Sequence, residues 1–268
     1  MEAPVSLHEL SLLLVEPSSL QARIIAGHLH QLGVAGVTTV GSGAAALASL
    51  VAEPPGLVVS AMYLPDMTGT DLVQAMRGDP RLAEVPFILV SSEDRPRLLD
   101  PVRQSGVCAI LPKPFTLDTL AAALSTTLDW LNADDSLEQA GLALDDLRVL
   151  VVDDSPMARK FIRRVLENLG VRQFIEAADG AEAAGVLEDT IVDLVVTDYN
   201  MPEMDGQALI EHIRNRSWQK AVPVLMVTSE TDAGRLAAVH NLGVVGVCDK
   251  PFEPGTVKSL LRQLLSDR

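Results

Sequence analysis

Five polar residues stand at the ends of apolar runs in the second half of the chain. Asp153 and Asp154 close RVLVVD and open the next turn, Asp198 closes VDLVVTD, Thr228 closes PVLMVT, and Lys250 follows GVVGVC. In an open parallel sheet the carboxyl ends of the strands share one edge, so these side chains are expected to converge there. Three carboxylates brought together repel and raise one another's apparent pKa unless a cation neutralises them. An all-oxygen donor set selects a hard cation, and an incomplete shell with room for water and phosphate oxygens suits Mg²⁺. A carboxylate beside such a cation, a hydroxyl and a lysine is equipped to accept a phosphoryl group.

The elements that must position these groups follow from the hydrophobic pattern. Short apolar runs bounded by turns alternate with longer helix-period segments, the signature of a parallel sheet covered on both faces. The strands read RVLVVD, QFIEA, VDLVVTD, PVLMVT and GVVGVC, and helices are expected to begin near Ser155, Gly180, Gly206, Asp232 and Glu253, where small or acidic residues can cap them. Five such units make one doubly wound domain of about 120 residues.

The first half repeats this pattern. VEPSS at 15–19 matches VDDSP at 152–156, and LVVSAMYLPDMTG at 57–69 matches LVVTDYNMPEMDG at 194–206. VPFILVSSE at 85–93 matches VPVLMVTSE at 222–230, and LPKPF at 111–115 matches CDKPF at 248–252, each pair displaced by 137 positions. Self-similarity on this scale sets the architecture before any single motif does. At 268 residues the chain accommodates two such domains, placed at 1–131 and 147–268. Between them, 132–146 holds five acids and no Lys or Arg, the composition of a solvated linker. Ile24 to Ala52 carries no charged residue, yet its polar residues and five glycines read as helix, strand, helix, and its counterpart 161–189 is heavily charged. No membrane insertion is expected.

Composition excludes further classes. The formal net charge is −15, with 7 basic against 13 acidic residues in 1–131 and 14 against 18 in 147–268. A phosphate backbone would be repelled, so direct nucleic-acid binding is not expected. Cys108 and Cys248 are too few for a disulfide framework and lie in apolar runs, which fits buried thiols and a cytoplasmic setting. No signal peptide is visible at the acidic, proline-bearing start.

The motifs DDS at 153–155, TDYNMPEMDG at 197–206, VTS at 227–229 and DKPF at 249–252 closely resemble the receiver domain of bacterial two-component response regulators, over all of 147–268. The resemblance implies two tandem flavodoxin-like (βα)5 domains, each a five-stranded parallel sheet with helices on both faces. It implies that Asp198 is the phosphoacceptor, charged from a sensor histidine kinase or histidine phosphotransfer protein. Asp154, Asp198 and the Asn200 backbone carbonyl would hold Mg²⁺, with Asp153 acting on the metal largely through water. Lys250 would pair with the phosphoryl group, and Thr228 would hydrogen-bond it and move with it. Asn200 and Glu230 occupy positions that tune acyl-phosphate lifetime in the family, a pairing similar to that of single-domain chemotaxis regulators. One departure is Val247, where receivers commonly carry an aromatic switch residue.

The first copy keeps a hydroxyl, Ser91, and the lysine, Lys113, but Ala61 stands in the acceptor position and cannot take phosphate. Glu16 and Pro17 replace Asp153 and Asp154, and Pro17 offers no ligand side chain. This copy resembles a degenerate pseudo-receiver. Asp66, five residues after Ala61, reads as a solvated loop acid, and Pro101 is expected to leave its helix kinked or short. Arg159, Lys160, Arg163 and Arg164 read as a solvated cationic face rather than a docking patch, and His28 and His30 as surface residues.

Two further functional classes compete with a phosphorylation-controlled signalling protein. One is an unphosphorylated interaction scaffold. The other is an aspartyl-phosphate phosphatase, whose Asp-x-Asp nucleophile motif Asp153-Asp154-Ser155 does not match. No output domain is expected after Arg268, so output is expected through contacts with a downstream protein, and a homodimer stays open.

Overall fold

The computed structural model describes residues 4–93, 95–132, 144–230, 232–251 and 254–266. The chain divides into two compact units, Met1–Asn132 and Ala133–Arg268. Most of the acidic stretch between the repeats, 133–143, lies outside the described residues, as does the expected helix start at Glu253.

Unit 1 alternates strand and helix throughout. Its elements are β1 (Ser11–Val15), α1 (Ser19–Gln31), β2 (Gly36–Val40), α2 (Gly43–Ala52), β3 (Leu57–Ala61), α3 (Gly69–Gly78), β4 (Phe87–Ser91), α4 (Pro96–Arg103), β5 (Ala109–Pro112) and α5 (Leu117–Leu131). Unit 2 follows the same order: β6 (Arg148–Val152), α6 (Pro156–Asn168), β7 (Gln173–Ala177), α7 (Gly180–Asp189), β8 (Leu194–Thr197), α8 (Gly206–Asn215), β9 (Val224–Thr228), α9 (Ala233–Asn241), β10 (Gly246–Asp249) and α10 (Pro254–Ser266). Each sheet is wholly parallel, in the orders β2-β1-β3-β4-β5 and β7-β6-β8-β9-β10. Both are five-stranded flavodoxin-like sheets with the switch point beside the first strand.

The repeat offset survives in the structure. Adding 137 to the bounds of β1, α1, β2, α2, α3, β4 and β5 yields those of their counterparts. Alternation explains the layers: Leu12 and Leu14 of β1 join the cluster that holds Ile25 and Leu29 of α1 and Leu124 of α5. Leu13 and Val15, pointing the other way, join Leu50, Leu72 and Met76 of α2 and α3.

Helix starts are fixed by local hydrogen bonds. Ser155, Asp205 and Asp232 cap α6, α8 and α9 by accepting backbone N–H groups, and Asp179 caps α7 one residue before the expected Gly180. The fifth strand of unit 2 begins at Gly246, not Gly243. Gly243 adopts φ +73° and its N–H donates to the His240 carbonyl, so it finishes the turn after α9. Pro101 lies inside α4, which runs for eight residues. The charge-free stretch from Ile24 forms most of α1, then β2 and α2, and no described helix is long and apolar enough to cross a membrane.

One long-range device recurs in both units. Arg77 of α3 donates to the carbonyls of Leu82, Val85, Ser105 and Gly106, which ties the loop before β4 to the loop before β5. Arg214 of α8, its counterpart 137 positions on, does the same with Lys220, Val222, Leu242 and Gly243. Burial pushes both guanidinium pKa values down, and the four carbonyl partners hold each group in place.

Candidate functional site

Strand register builds the site at one edge of unit 2. The Asp198 N–H donates to the Val152 carbonyl at 2.8 Å and the Lys250 N–H to the Thr228 carbonyl at 2.8 Å, so the last pairings of adjacent strands hold the polar residues side by side. Asp198 follows β8, Asp153 and Asp154 follow β6, Thr228 ends β9 and Lys250 follows β10. Of the expected residues, Asp153, Asp198, Thr228 and Lys250 are buried, while Asp154 and Asn200 are exposed.

The structure brings the three carboxylates together: Asp153, Asp154 and Asp198 each offer an oxygen within 4.8 Å of the others. Lys250 Nζ lies 2.7 Å from Asp153 Oδ2 and 2.9 Å from Asp198 Oδ2. The other oxygen of each buried acid is also oriented, Asp198 Oδ1 by the Tyr199 N–H at 2.7 Å and Asp153 Oδ1 by the Ser155 N–H at 2.8 Å. Burial pushes the Asp153 carboxyl up to about 6, opposed by the Lys250 ammonium and reinforced by Asp198. One ammonium among three carboxylates leaves a charge deficit that a hard dication would fill, and the donor set is all oxygen, so the residues fit Mg²⁺.

Several supporting groups escaped the sequence reading. Arg159 Nη1 donates to the Asp153 carbonyl at 2.6 Å while its Nε pairs with Glu176 at 3.1 Å, so this cation braces the acidic turn from within the unit. Arg163 pairs with Glu167 and Glu176 and lies over the Phe174 ring. Two of the four cations read as a solvated face are therefore tied into the unit, while Lys160 and Arg164 are exposed. Gly206 opens α8 against Asp198, where a Cβ would collide with the Asp198 carbonyl oxygen. Its place in the MDG turn was the available signal, since the same glycine recurs as Gly69, whose Cβ would stand 2.7 Å from the Ala61 carbonyl oxygen.

The matching edge of unit 1 is chemically different. Lys113 Nζ pairs with Glu16 Oε2 at 2.9 Å and with Gln21 Oε1 at 2.5 Å, and buried Ala61 presents a methyl group where unit 2 has Asp198. Asp66 is exposed, as expected for a loop acid, but it is not merely solvated. Its two oxygens accept the Gly43 and Ala44 N–H groups at 2.8 Å each, which hold its carboxyl below the ordinary range and fix the start of α2. In unit 2 the Met204 carbonyl receives the corresponding N–H, that of Gly180, at 3.0 Å.

With this geometry established, comparison with known proteins places the class. The response regulator receiver domain model matches residues 12–125 and 149–262, so the chain belongs to the response regulator receiver family, as a tandem of two domains. It is similar to chemotaxis protein CheY-3 of Vibrio cholerae, 36% identical over 119 residues that cover 44% of this chain and 92% of that protein. It is also similar to chemotaxis protein CheY1 of Helicobacter pylori, 35% identical over 120 residues covering 44% of this chain and 97% of that protein. Among solved structures, chemotaxis protein CheY4 of Vibrio cholerae is 34% identical, covering 44% of this chain and 98% of its own, with a TM-score of 0.41.

Proposed function

We propose that unit 2 is a phosphoacceptor receiver of a two-component pathway and that unit 1 is a receiver fold that has lost the chemistry. The observation that carries this is the Lys250 ammonium, which spans Asp153 and Asp198 inside a three-carboxylate cluster, against Lys113, which spans Glu16 and Gln21 beside Ala61.

In this reading an Asp198 carboxylate oxygen attacks the phosphorus of a phosphohistidine on a kinase or phosphotransfer protein. The new O–P bond forms as the P–N bond breaks, and the electron pair of that bond returns to the imidazole nitrogen. Asp153, Asp154, Asp198 and the Asn200 carbonyl would hold Mg²⁺, which neutralises charge on the transferring oxygens when bound. Lys250 exchanges its Asp198 partner for a phosphoryl oxygen, and the Thr228 hydroxyl, which now accepts the Glu230 N–H at 2.9 Å, turns toward another. Output passes through altered contacts with a downstream protein.

Intact mass after incubation with Mg²⁺ and a small acyl-phosphate donor tests this proposal. The expected result is one added phosphoryl group, which does not form when the cation is chelated beforehand or in Asp198→Ala. Labelling that persists in Asp198→Ala would overturn the assignment, and absence of labelling in the native chain would favour an unphosphorylated scaffold.

A further inference from the structure

In both units the loop after the third strand is tied to the loop after the fourth by a tyrosine, a glutamate and an arginine, yet the repeat does not supply the same positions. In unit 1 the Tyr63 hydroxyl donates to Glu93 Oε2 at 3.0 Å, and Arg95 grips the same carboxylate through both of its oxygens, at 2.7 and 2.6 Å. In unit 2 the Arg235 guanidinium lies 5.9 Å from the centre of the Tyr199 ring and donates to Glu230 Oε2 at 2.8 Å. Glu93 and Glu230 are 137 apart, but Tyr199 and Arg235 correspond to Met62 and Leu98. The strap is therefore built from different positions in each unit.

The two straps differ in strength and in what they touch. Unit 1 closes with a two-oxygen arginine fork plus a hydroxyl, a geometry that resists opening. Both guanidiniums are exposed, but unit 2 closes with a single arm on one carboxylate oxygen and a ring contact, which contribute less than a two-oxygen fork. Both of its ends sit on the reaction centre: the Tyr199 N–H holds Asp198 Oδ1, and Glu230 reaches Thr228 Oγ1 through its N–H. Val247, partly buried against the core of unit 2, offers no ring to carry the signal.

Resting on the receiver reading of unit 2, we infer that Arg235 is a positioning residue that couples phosphorylation of Asp198 to helix α9. A phosphoryl group on Asp198 carries roughly −1.5 to −2 charge beside Tyr199, where the free carboxylate carries one. That anion competes with the single charge of Glu230 for the guanidinium, so the Arg235–Glu230 pair opens. The first turn of α9, capped by Asp232 through the Gly234 and Arg235 N–H groups, moves with it. Unit 1, with the tighter fork and no acceptor, keeps its strap closed.

Hydrogen exchange of the full chain, with and without Mg²⁺ and beryllium fluoride as a stable stand-in for the phosphoryl group, tests this coupling. The ¹⁹F signal of bound fluoride reports loading independently. In the native chain, loading is expected to speed exchange in α9 about threefold, the scale of losing one exposed ion pair. In Arg235→Ala, α9 is expected to exchange at the faster rate from the outset and to show no further change, with an undiminished ¹⁹F signal. Arg235→Lys, which keeps the charge, restores part of the response. A loaded native chain with unchanged α9, or an Arg235→Ala chain that responds as the native one does, overturns the coupling alone. Absence of a bound ¹⁹F signal in the native chain overturns the receiver reading and the coupling together.

Discussion

Lys250 Nζ lies 2.9 Å from Asp198 Oδ2, buried, and its second carboxylate partner is Asp153 at 2.7 Å. Removing one member of a buried ion pair leaves uncompensated charge, which costs about 3–5 kcal/mol. Lys250→Met is therefore expected to lower the stability of unit 2 by about 3 kcal/mol without divalent cation. Millimolar Mg²⁺ should return part of that loss, as read by urea unfolding with and without the cation.

The raised Asp153 carboxyl sets a pH dependence of definite sign. Its folded pKa of about 6 stands above the ordinary value of 3.8, so the proton favours the folded state. The stabilisation is fully present below about pH 4 and is lost as pH rises through about 6. Cation binding needs the deprotonated form, so Mg²⁺ should raise the melting temperature more at pH 8 than at pH 5.5. Asp153→Asn should flatten this metal-free pH dependence, raise melting at pH 8 and remove most of the Mg²⁺ effect, all measurable by calorimetry.

Gly206 presses its backbone against the Asp198 carbonyl. Gly206→Ala is expected to destabilise unit 2 by about 1–3 kcal/mol and to slow labelling of Asp198 through displaced geometry. Gly69→Ala meets Ala61 and Leu89 in the same way and should destabilise unit 1 by a similar amount while leaving Asp198 labelling at its native rate. Unfolding and labelling measured on the same samples separate these outcomes.

Restoring the acceptor alone should not revive unit 1. With Pro17 offering no ligand and Glu16 paired to Lys113, Ala61→Asp still lacks a counterpart of Asp154 and so does not rebuild the three-carboxylate cluster of unit 2. The intact mass of Ala61→Asp after treatment with a phosphoryl donor is expected to show one added group, as in the native chain. A second group would mean that unit 1 lost only its acceptor.

Much of this arrangement is legible in the sequence because it is local or periodic. Strands show as apolar runs, Ser155, Gly206 and Asp232 announce helix starts, and the constant 137-residue displacement carries one unit's reading onto the other. The convergence of Asp153, Asp154, Asp198 and Lys250 follows from strand order, since each lies just beyond a strand. What escapes depends on distance in the chain. Arg214 bonds carbonyls 28 and 29 residues away, and Asp66 caps a helix 22 and 23 residues before it. No spacing rule distinguishes these residues from solvated ones. The opposed straps at Glu93 and Glu230 escape for a further reason: their tyrosine and arginine positions do not follow the repeat.

Reductive trapping with mass mapping tests the central claim most directly. After treatment with Mg²⁺ and an acyl-phosphate donor, borohydride converts a phosphorylated aspartate to homoserine, which a proteolytic digest locates. Homoserine at residue 198 alone is the predicted result. Homoserine at Asp66 or at any other residue of unit 1, or none anywhere in a folded chain, would contradict the account.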